Sequence, residues 1–382
     1  MQRSALGLRV PMGMHDLLPD EMALLEGLER QTLDLFRRWA YRRILTPTLE
    51  YAACVQPDVD REDQLYKFFD RQGRILALRP ELTPSIARLV STRLRASQPP
   101  LRLCYGADVF RNSTPHFREF RQVGVELVGS AEVIADAEVV ALAVKSLEEL
   151  GIKDFQFNLG HMGIFAGLMR ELALPAELRE SVEEKLARKD MVGIESLVLQ
   201  SDLPEKTQDI LLKLPHLHGG EEILDEVLSW SGEPGIRAAT EGLRQVYRYL
   251  RDFGAQRPVA LDLGILRGFS YYTGVIFEGY VPGVGFPVAE GGRYDSLYAD
   301  FGYDQPATGF AIHLGSLLGL FPMHETGDAD ILVFGRDIPK VIRRCLELRG
   351  QGKRVEMTLG SVTRAEAGNL AEKKGIPLVE KV

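Results

Sequence analysis

Hydrophobic residues recur at helical spacing early in the chain. The segment "DEMALLEGLERQTLDLFRRWAYRRI", residues 20–44, has apolar side chains on one helical face at Leu24, Leu28, Leu35 and Trp39. This spacing predicts a long amphipathic helix. Pro47 follows in "ILTPTLEY" and is expected to stop it, because proline cannot continue the helical hydrogen-bond ladder.

Two zones further along are rich in strand-forming residues. In the first, residues 101–112 and 118–129 flank the short polar stretch "STPH", which predicts a hairpin. The second contains "PVALDLG", "FSYYTGVIFEGYV" and "VAEGGRYD", with a turn at "PGVG" between the last two. Antiparallel pairing is expected in both zones, because the links look too short for crossover helices.

The remaining patterns divide the chain. Residues of about 173–250 form charged amphipathic helices, which predicts a helical insertion. From residue 325 the pattern is strand, helix, strand, helix, strand. We therefore predict an α+β domain over 1–324, with an antiparallel sheet flanked by helices and the insertion inside it. A small α/β domain over 325–382 follows.

Composition narrows the function classes. The chain has 382 residues and a net charge of -8, so its overall field does not favour nucleic acid. No apolar run reaches the length of a membrane span, and the three cysteines form no CxxC pair, so a cytoplasmic protein without disulfides is expected. The seven histidines show no metal-ligand spacing. We expect no metal and no cofactor.

Polar residues lie on one face of the second hairpin strand. Because side chains alternate along a strand, Gln122, Gly124 and Glu126 share a face, and the glycine leaves room for a ligand on the sheet. Arg111 stands at the end of the preceding strand. A solvated strand face with a surface arginine would explain the same residues.

The loop "LRPELTPSIARLV" presents a carboxylate and a hydroxyl between two prolines. Pro84 suits the first turn of a helix and Thr83 its N-cap, while Glu81 could complement the helix dipole. The alternative is functional: a rigid loop that offers Glu81 and Thr83 to a cationic ligand.

Two Gly-Arg-Tyr clusters follow within about thirty residues of each other. In "LGILRGFSYYTGVIFEGY", Gly268 permits a turn that aims Arg267 away from the sheet, and Tyr271 and Tyr272 are expected on opposite faces. In "EGGRYDSLY", two glycines precede Arg293 and Tyr294. Fold requirements alone explain two such clusters poorly.

These residue types together suit a zwitterion that carries a third polar group. Arginine binds a carboxylate in charge-assisted bonds, and glutamates with neutral oxygens accept from an ammonium or an imidazole. The residues concerned are Glu81, Thr83, Arg111, Gln122, Glu126, Arg267, Tyr272 and Tyr294.

The chain resembles the histidyl-tRNA synthetase family and its class II catalytic domain over residues 10 to 320. The motifs that carry the resemblance are "VPMGMHDLLPDE", "WAYRRILTPTLE", "LRPELTPSIAR", "VFRNSTPHFREFRQVGVELVG", "LRGFSYYTGVIFE", "EGGRYDSL" and "TGFAIHLGSLLGL". The resemblance implies a class II synthetase-like fold, a dimer with Pro47 near its interface, and histidine binding by the residues above together with Tyr271.

The departures from that family are informative. Active synthetases of that family carry an arginine that binds the ATP phosphates, and this chain has Gly315 and Ser316 at that place. The motif around 113–117 is shorter than in the family. Ser270 stands where the family usually has an aspartate. This pattern is similar to that of a paralogous family, the regulatory subunits of short-form ATP phosphoribosyltransferase. That resemblance implies no catalytic residues, a short catalytic subunit as partner in a hetero-octamer, and histidine feedback in the first step of histidine biosynthesis.

Two other hypotheses stay open at this point. The chain could be a divergent histidyl-tRNA synthetase that aminoacylates tRNA with ATP, although the eroded motifs argue against tRNA as a partner. It could also be an assembly scaffold whose histidine pocket is vestigial. His313, the polar residue that stands out in "TGFAIHLGSLLGLF", is interpreted as a packing or surface residue and not as a phosphate ligand.

Overall fold

The computed structural model describes residues 8–55, 64–112, 118–265, 271–322 and 329–382. They form two compact units, the larger built mainly from Leu25–Leu320 and the smaller mainly from Phe321–Val382. The predicted domain boundary at residue 325 falls within 323–328, outside the described residues.

The first helix is shorter than its sequence pattern predicts. Helix α1 (Pro19–Arg38) buries Leu28 and Leu35, as expected, but it ends at Arg38 and not near Pro47. Ala40 has a φ of 65°, and strand β1 (Arg42–Arg43) begins two residues later. Strand pairing therefore replaces the helix before proline can stop it.

The elements that follow build the rest of the larger unit. In chain order the first are β2 (Leu49–Tyr51), α2 (Ala52–Val55), β3 (Lys67–Phe69), β4 (Ile75–Leu78), α3 (Thr83–Arg93), β5 (Leu101–Phe110), β6 (Glu119–Val128), α4 (Val133–Glu149), β7 (Gln156–His161) and α5 (Met162–Glu171). The predicted helical insertion contains α6 (Ala176–Ala187), α7 (Met191–Leu199), α8 (Glu205–Lys213), β8 (His218–Gly219), α9 (Glu222–Trp230) and α10 (Pro234–Asp252). The last are β9 (Val259–Asp262), β10 (Val275–Tyr280), β11 (Ala289–Arg293), β12 (Ala307–His313) and α11 (Leu314–Leu317).

Within the described residues, nine strands form a central sheet in the order β1-β5-β6-β12-β11-β10-β7-β9-β8. Strands β5 and β6 are antiparallel, which confirms the predicted hairpin, and β10 and β11 are antiparallel too. The expectation holds only in part for β9, which pairs antiparallel with β8 but in parallel with β7, a strand that the sequence pattern did not identify. Helices α5 to α10 connect β7 to β9, and such a long crossover permits parallel pairing.

Two groups of buried side chains fill the core of the larger unit, one on helix α4 and one around Ile86 of α3. Val139, Val140 and Leu142 of α4 have no exposed surface, and α4 contacts both the central sheet and α10. The second cluster joins Ile86 of α3 to the strands of the sheet and to Tyr294. A mainly antiparallel sheet flanked by helices confirms the predicted α+β class.

The smaller unit contains the predicted strand–helix alternation. Its elements are β13 (Ile331–Phe334), α12 (Ile338–Gly350), β14 (Val355–Met357), α13 (Arg364–Lys373) and β15 (Leu378–Lys381). The three strands are parallel in the order β14-β13-β15. Thr363 and Glu366 form a reciprocal capping box at the start of α13.

No helix in the described ranges is long and apolar enough to cross a membrane.

Candidate functional site

A cavity lies on the central sheet where β6, β12 and β11 run side by side. Its empty volume is about 400 Å³, a figure that includes narrow gaps between atoms and space open to solvent. Its walls come from the start of α3, the sheet and the segment before β10. The lining residues are Glu81, Leu82, Thr83, Tyr105, Arg111, Gln122, Tyr271, Tyr272, Glu290, Tyr294, Gly309, Phe310 and Ala311.

The structure brings most of the predicted site residues together. Seven of the nine line the cavity: Glu81, Thr83, Arg111, Gln122, Tyr271, Tyr272 and Tyr294. Glu126 lies against it, since its carboxylate accepts hydrogen bonds from Thr83 and Tyr294. Arg267 falls in 266–270, outside the described residues.

Thr83 contributes its hydroxyl to the cavity and not to the helix. The N-cap of α3 is Leu82, with no side-chain capping bond, so the interpretation of Thr83 as N-cap is wrong. Thr83 is instead the first helical residue, and its Oγ1 donates to Glu126 Oε1 at 2.9 Å. Pro84 beside it suits the first helical turn, as expected.

Glu126 is a carboxyl group held out of water. It is 1% exposed, and burial raises its pKa well above the usual value of 4.5, with nearby Glu81 adding to the rise and the Thr83 hydrogen bond opposing it. The Tyr294 hydroxyl donates to its other oxygen. A cationic ligand at this carboxyl would favour the charged form.

Both members of the tyrosine pair line the cavity, which corrects the prediction that they face opposite ways. Alternation does not apply because β10 begins only at Val275. Tyr271 Oη donates to Glu81 Oε2 at 2.7 Å, and the ring centroids of Tyr271 and Tyr272 are 5.0 Å apart. The pair, with Tyr294, forms an aromatic wall.

Arg111 supplies a cation at the cavity edge. Its Nε donates to the Pro80 carbonyl oxygen at 3.0 Å, and its guanidinium carbon lies 5.6 Å from the centre of the Phe120 ring. Both contacts are made by the guanidinium group and hold it in place. Arg111 lines the cavity, and a guanidinium group is chemically suited to a carboxylate ligand.

Sequence reasoning missed Glu290 as a lining residue. Its position four residues before Tyr294 hints at a shared face, but its place in the cavity depends on the register that puts it opposite Ala311 of β12. His313 was correctly interpreted as a packing residue, but it is not on the surface: its Nε2 lies 3.5 Å from Glu290 Oε2, and its Nδ1 lies 3.3 Å from Gln122 Nε2.

Arg293, which the sequence grouped with Tyr294, turns away from the cavity. Its Nε donates to both carboxylate oxygens of buried Asp136 at 3.0 and 2.9 Å, and its Nη1 donates to the Ser130 carbonyl oxygen at 3.0 Å. This ion pair attaches β11 to α4. Arg293 is therefore structural, and it supports the strand that carries Glu290 and ends directly before Tyr294.

The short helix α11 offers little to a phosphate. Residues 308–321 contain no lysine or arginine. Ser316 Oγ donates to the His313 carbonyl oxygen at 2.7 Å, so this hydroxyl is engaged by its own backbone. Among the described residues, no group of His, Cys, Asp and Glu side chains is arranged to hold a metal ion.

Known proteins share both the motifs and the fold. A sequence model described as histidyl-tRNA synthetase matches residues 13–317. The chain is 61% identical over 376 residues to the ATP phosphoribosyltransferase regulatory subunit of Desulfitobacterium hafniense (strain Y51). The alignment covers 98% of each chain. The chain belongs to the family of ATP phosphoribosyltransferase regulatory subunits. A member from Moorella thermoacetica is 44% identical over 384 residues, again with 98% of each chain covered.

Membership in this family confirms the predicted resemblance and the prediction of a non-catalytic, synthetase-like subunit. A crystal structure from Bacillus halodurans C, described as an ATP phosphoribosyltransferase regulatory subunit/histidyl-tRNA synthetase, superimposes with a TM-score of 0.89 at 31% identity. It covers 98% of this chain and 97% of its own. Histidyl-tRNA synthetase from Nostoc sp. PCC 7120, at 21% identity, has a TM-score of 0.83 over 96% of this chain and 90% of its own, which confirms the synthetase-like fold.

Proposed function

We propose that this regulatory subunit binds L-histidine in the cavity and acts as a histidine sensor. The observation that carries the proposal is the convergence of Glu81, Thr83, Gln122 and Tyr294 with Arg111 in one small space. Carboxylates and hydroxyls suit the ammonium and imidazole N–H groups, and a guanidinium suits the carboxylate. Arg267 is a further proposed carboxylate contact.

We propose that the sensor acts on a short-form catalytic subunit of ATP phosphoribosyltransferase. The names of the relatives at 61% and 44% identity support this partner. The chain would be required for activity of the partner and would transmit inhibition by histidine in the first step of histidine biosynthesis. Inhibition requires that histidine bind two states of the complex with unequal affinity.

The decisive experiment is co-purification with the catalytic subunit, followed by activity measurements with and without histidine. We expect activity only in the complex and a loss of activity as histidine is added. Glu126→Ala should weaken the histidine response, because ligand N–H groups lose their acceptor. Its matched control is Glu195→Ala, on the exposed side of α7, which should respond like the unmodified chain.

Activation without histidine should survive in Glu126→Ala. If both activation and the histidine response are lost while the fold is intact, the cavity is part of the partner interface. If calorimetry detects no histidine binding to the complex, the chain is a scaffold with a vestigial pocket and the sensor proposal is wrong.

The second candidate function, a divergent histidyl-tRNA synthetase, is favoured by the family match over residues 13–317 and by the description of the Bacillus halodurans structure. Activation of histidine would require side chains that bind the ATP phosphates, and residues 308–321 contain no lysine or arginine that could do so. Histidine-dependent exchange of pyrophosphate into ATP tests this directly. Clear exchange by the purified chain would support the synthetase and contradict the regulatory proposal.

A further inference from the structure

The amide of Gln122 is held at its nitrogen and left open at its oxygen. Gln122 lines the cavity, is 2% exposed, and lies directly opposite His313 in the pairing of β6 with β12. Its Nε2 is 3.3 Å from His313 Nδ1. Its Oε1 is buried and, among the residues that the structure describes, has no hydrogen-bond partner. A buried acceptor without a partner is costly, so a ligand N–H group at this oxygen would be stabilised.

His313 decides which atom of that amide is left for a ligand. An amide nitrogen only donates, so the contact with Gln122 requires Nδ1 of the histidine to accept, and the ring proton then lies on Nε2. That Nε2 is 3.5 Å from Glu290 Oε2, a carboxylate oxygen that accepts from an N–H group. Both neighbours therefore favour the same tautomer of the neutral ring. With the proton on Nδ1, the amide would have to turn and present its NH₂ group to the cavity instead.

The surroundings of Gln122 indicate which part of the ligand it meets. The His313 ring and the Arg111 guanidinium both contact the Phe120 ring, each 5.6 Å from its centre. Gln122 thus lies at the same end of the cavity as the cation proposed for the carboxylate, and an amino acid carries its ammonium on the carbon beside that carboxylate. Glu126 lies four residues along the strand from Gln122, roughly 13 Å away, and is left for the imidazole.

We infer that His313 is a positioning residue, which accepts from Gln122 Nε2 and thereby presents Gln122 Oε1 to the ammonium group of the bound amino acid. Glu290 keeps the proton on the far nitrogen of the ring. His313 itself does not touch the ligand. The inference rests on the proposed histidine site and adds the residue that makes this site select a ligand with an ammonium, because a site built around an acceptor rejects analogues without the matching donor.

The first test uses two substitutions of equal shape in the full-length protein. His313→Asn keeps an acceptor oxygen as many bonds from the backbone as Nδ1, whereas His313→Leu places a methyl group there, and both remove the rest of the ring. In calorimetric titrations with L-histidine, we expect the asparagine variant to bind within about threefold of the unmodified chain and the leucine variant about tenfold more weakly. If His313 only packs against Phe120, leucine should serve at least as well as asparagine, and that order would overturn the inference. The exposed control His216→Leu should leave the affinity unchanged.

A second ligand tests the assignment of the ammonium. The compound 3-(imidazol-4-yl)propanoate is histidine without its amino group. His313→Leu should not weaken its binding, because it has no ammonium to meet Gln122 Oε1. An equal loss for this compound and for L-histidine would contradict the assignment.

The tautomer of His313 can be measured without any ligand. In nitrogen-15 NMR spectra of the unmodified protein at about pH 8, we expect Nδ1 of His313 to be unprotonated and Nε2 to carry the proton. Its signals are identified by their absence from either variant. A proton on Nδ1 would overturn the role of His313, even if the leucine variant does not fold. Absence of histidine binding by the unmodified chain would refute the proposed function, whereas histidine binding with Nδ1 protonated would refute only the positioning role.

Discussion

At the scale of single residues, the contact between Thr83 and Glu126 is the most direct test of the cavity. The 2.9 Å hydrogen bond orients a carboxyl group that is 1% exposed. Thr83→Val keeps the shape of the side chain and removes the donor. We expect histidine affinity to fall by roughly five- to thirtyfold, equivalent to about 1–2 kcal/mol, in a calorimetric titration.

The same helix offers a matched control for that substitution. Thr92 is an exposed residue of α3, and its hydroxyl donates to the Arg88 carbonyl oxygen at 2.7 Å. Thr92→Val should leave histidine affinity unchanged. Equal losses in Thr83→Val and Thr92→Val would show that helix stability, and not the cavity contact, sets the affinity.

Glu126 also predicts a pH dependence of stability in the ligand-free protein. Because burial raises its pKa, the folded protein keeps a proton that the unfolded chain releases above its ordinary value of 4.5. Between the unfolded-state and folded-state pKa values of Glu126, the folded protein binds more protons than the unfolded chain. The contribution of Glu126 to the free energy of unfolding therefore falls as the pH rises through this range. Glu126→Gln cannot titrate, and its unfolding free energy should fall less steeply, by up to about 1.4 kcal/mol per pH unit.

Urea unfolding at several pH values above 4.5 measures the difference between the two proteins. Subtraction isolates Glu126, because the other buried carboxyls with raised pKa values, such as Asp136 and Asp262, are present in both. Parallel curves for Glu126→Gln and the unmodified chain would contradict the expectation.

Residue types could be predicted from the sequence much better than residue contacts. Tyr294 and Glu126 were both placed in the binding set, yet their mutual hydrogen bond depends on β6 and β11 lying on either side of β12 in the sheet, which no local pattern encodes. Glu290 was not placed in that set. Its role depends on the strand register that puts Glu290 opposite Ala311.

At the scale of elements, glycines allow the strands beneath the cavity to approach one another. A side-chain carbon on Gly309 of β12 would overlap the Glu126 carboxylate and the Val125 carbonyl oxygen. Gly309→Ala should therefore destabilise the protein by roughly 1–3 kcal/mol and abolish tight histidine binding. Thermal unfolding and calorimetry measure the two effects.

A glycine in a helix provides the contrasting case. Gly242 lies inside α10, where an added carbon meets nothing within 4 Å. Gly242→Ala should stabilise the protein by about 0.5–1 kcal/mol without a change in histidine affinity. A Gly309→Ala variant as stable as Gly242→Ala would show that the sheet yields at this position and that the close approach is not required.

Helices and strands that have their own hydrophobic pattern could be predicted from the sequence. Strand pairings between segments far apart in the sequence could not. The β5–β6 hairpin and the alternation of β13 to β15 with α12 and α13 follow from short-range hydrophobic patterns and turn residues. The parallel pairing of β7 with β9 joins strands separated by the helical insertion. No periodicity within either strand indicates that partner.

At the scale of the whole molecule, histidine binding to this chain and histidine inhibition of the complex should depend on the same equilibrium. If the cavity is the regulatory site, a variant that weakens histidine binding must raise the histidine concentration needed for half-inhibition of the complex. Thr83→Val should therefore raise that concentration by about the same factor as its dissociation constant, roughly five- to thirtyfold. Phosphoribosyl transfer by the co-purified complex gives the first value, and calorimetry on the same preparation gives the second.

The assembly itself should not depend on this contact. We propose a dimer of this chain within a hetero-octamer, and light scattering should give the same mass for the Thr83→Val complex as for the unmodified one. Thr83 belongs to a cavity on the sheet of the larger unit, and its substitution removes a single hydroxyl. A complex that assembles and remains active but responds only to higher histidine concentrations would separate sensing from activation. An unchanged half-inhibition concentration, despite weaker binding, would place the feedback site elsewhere in the complex.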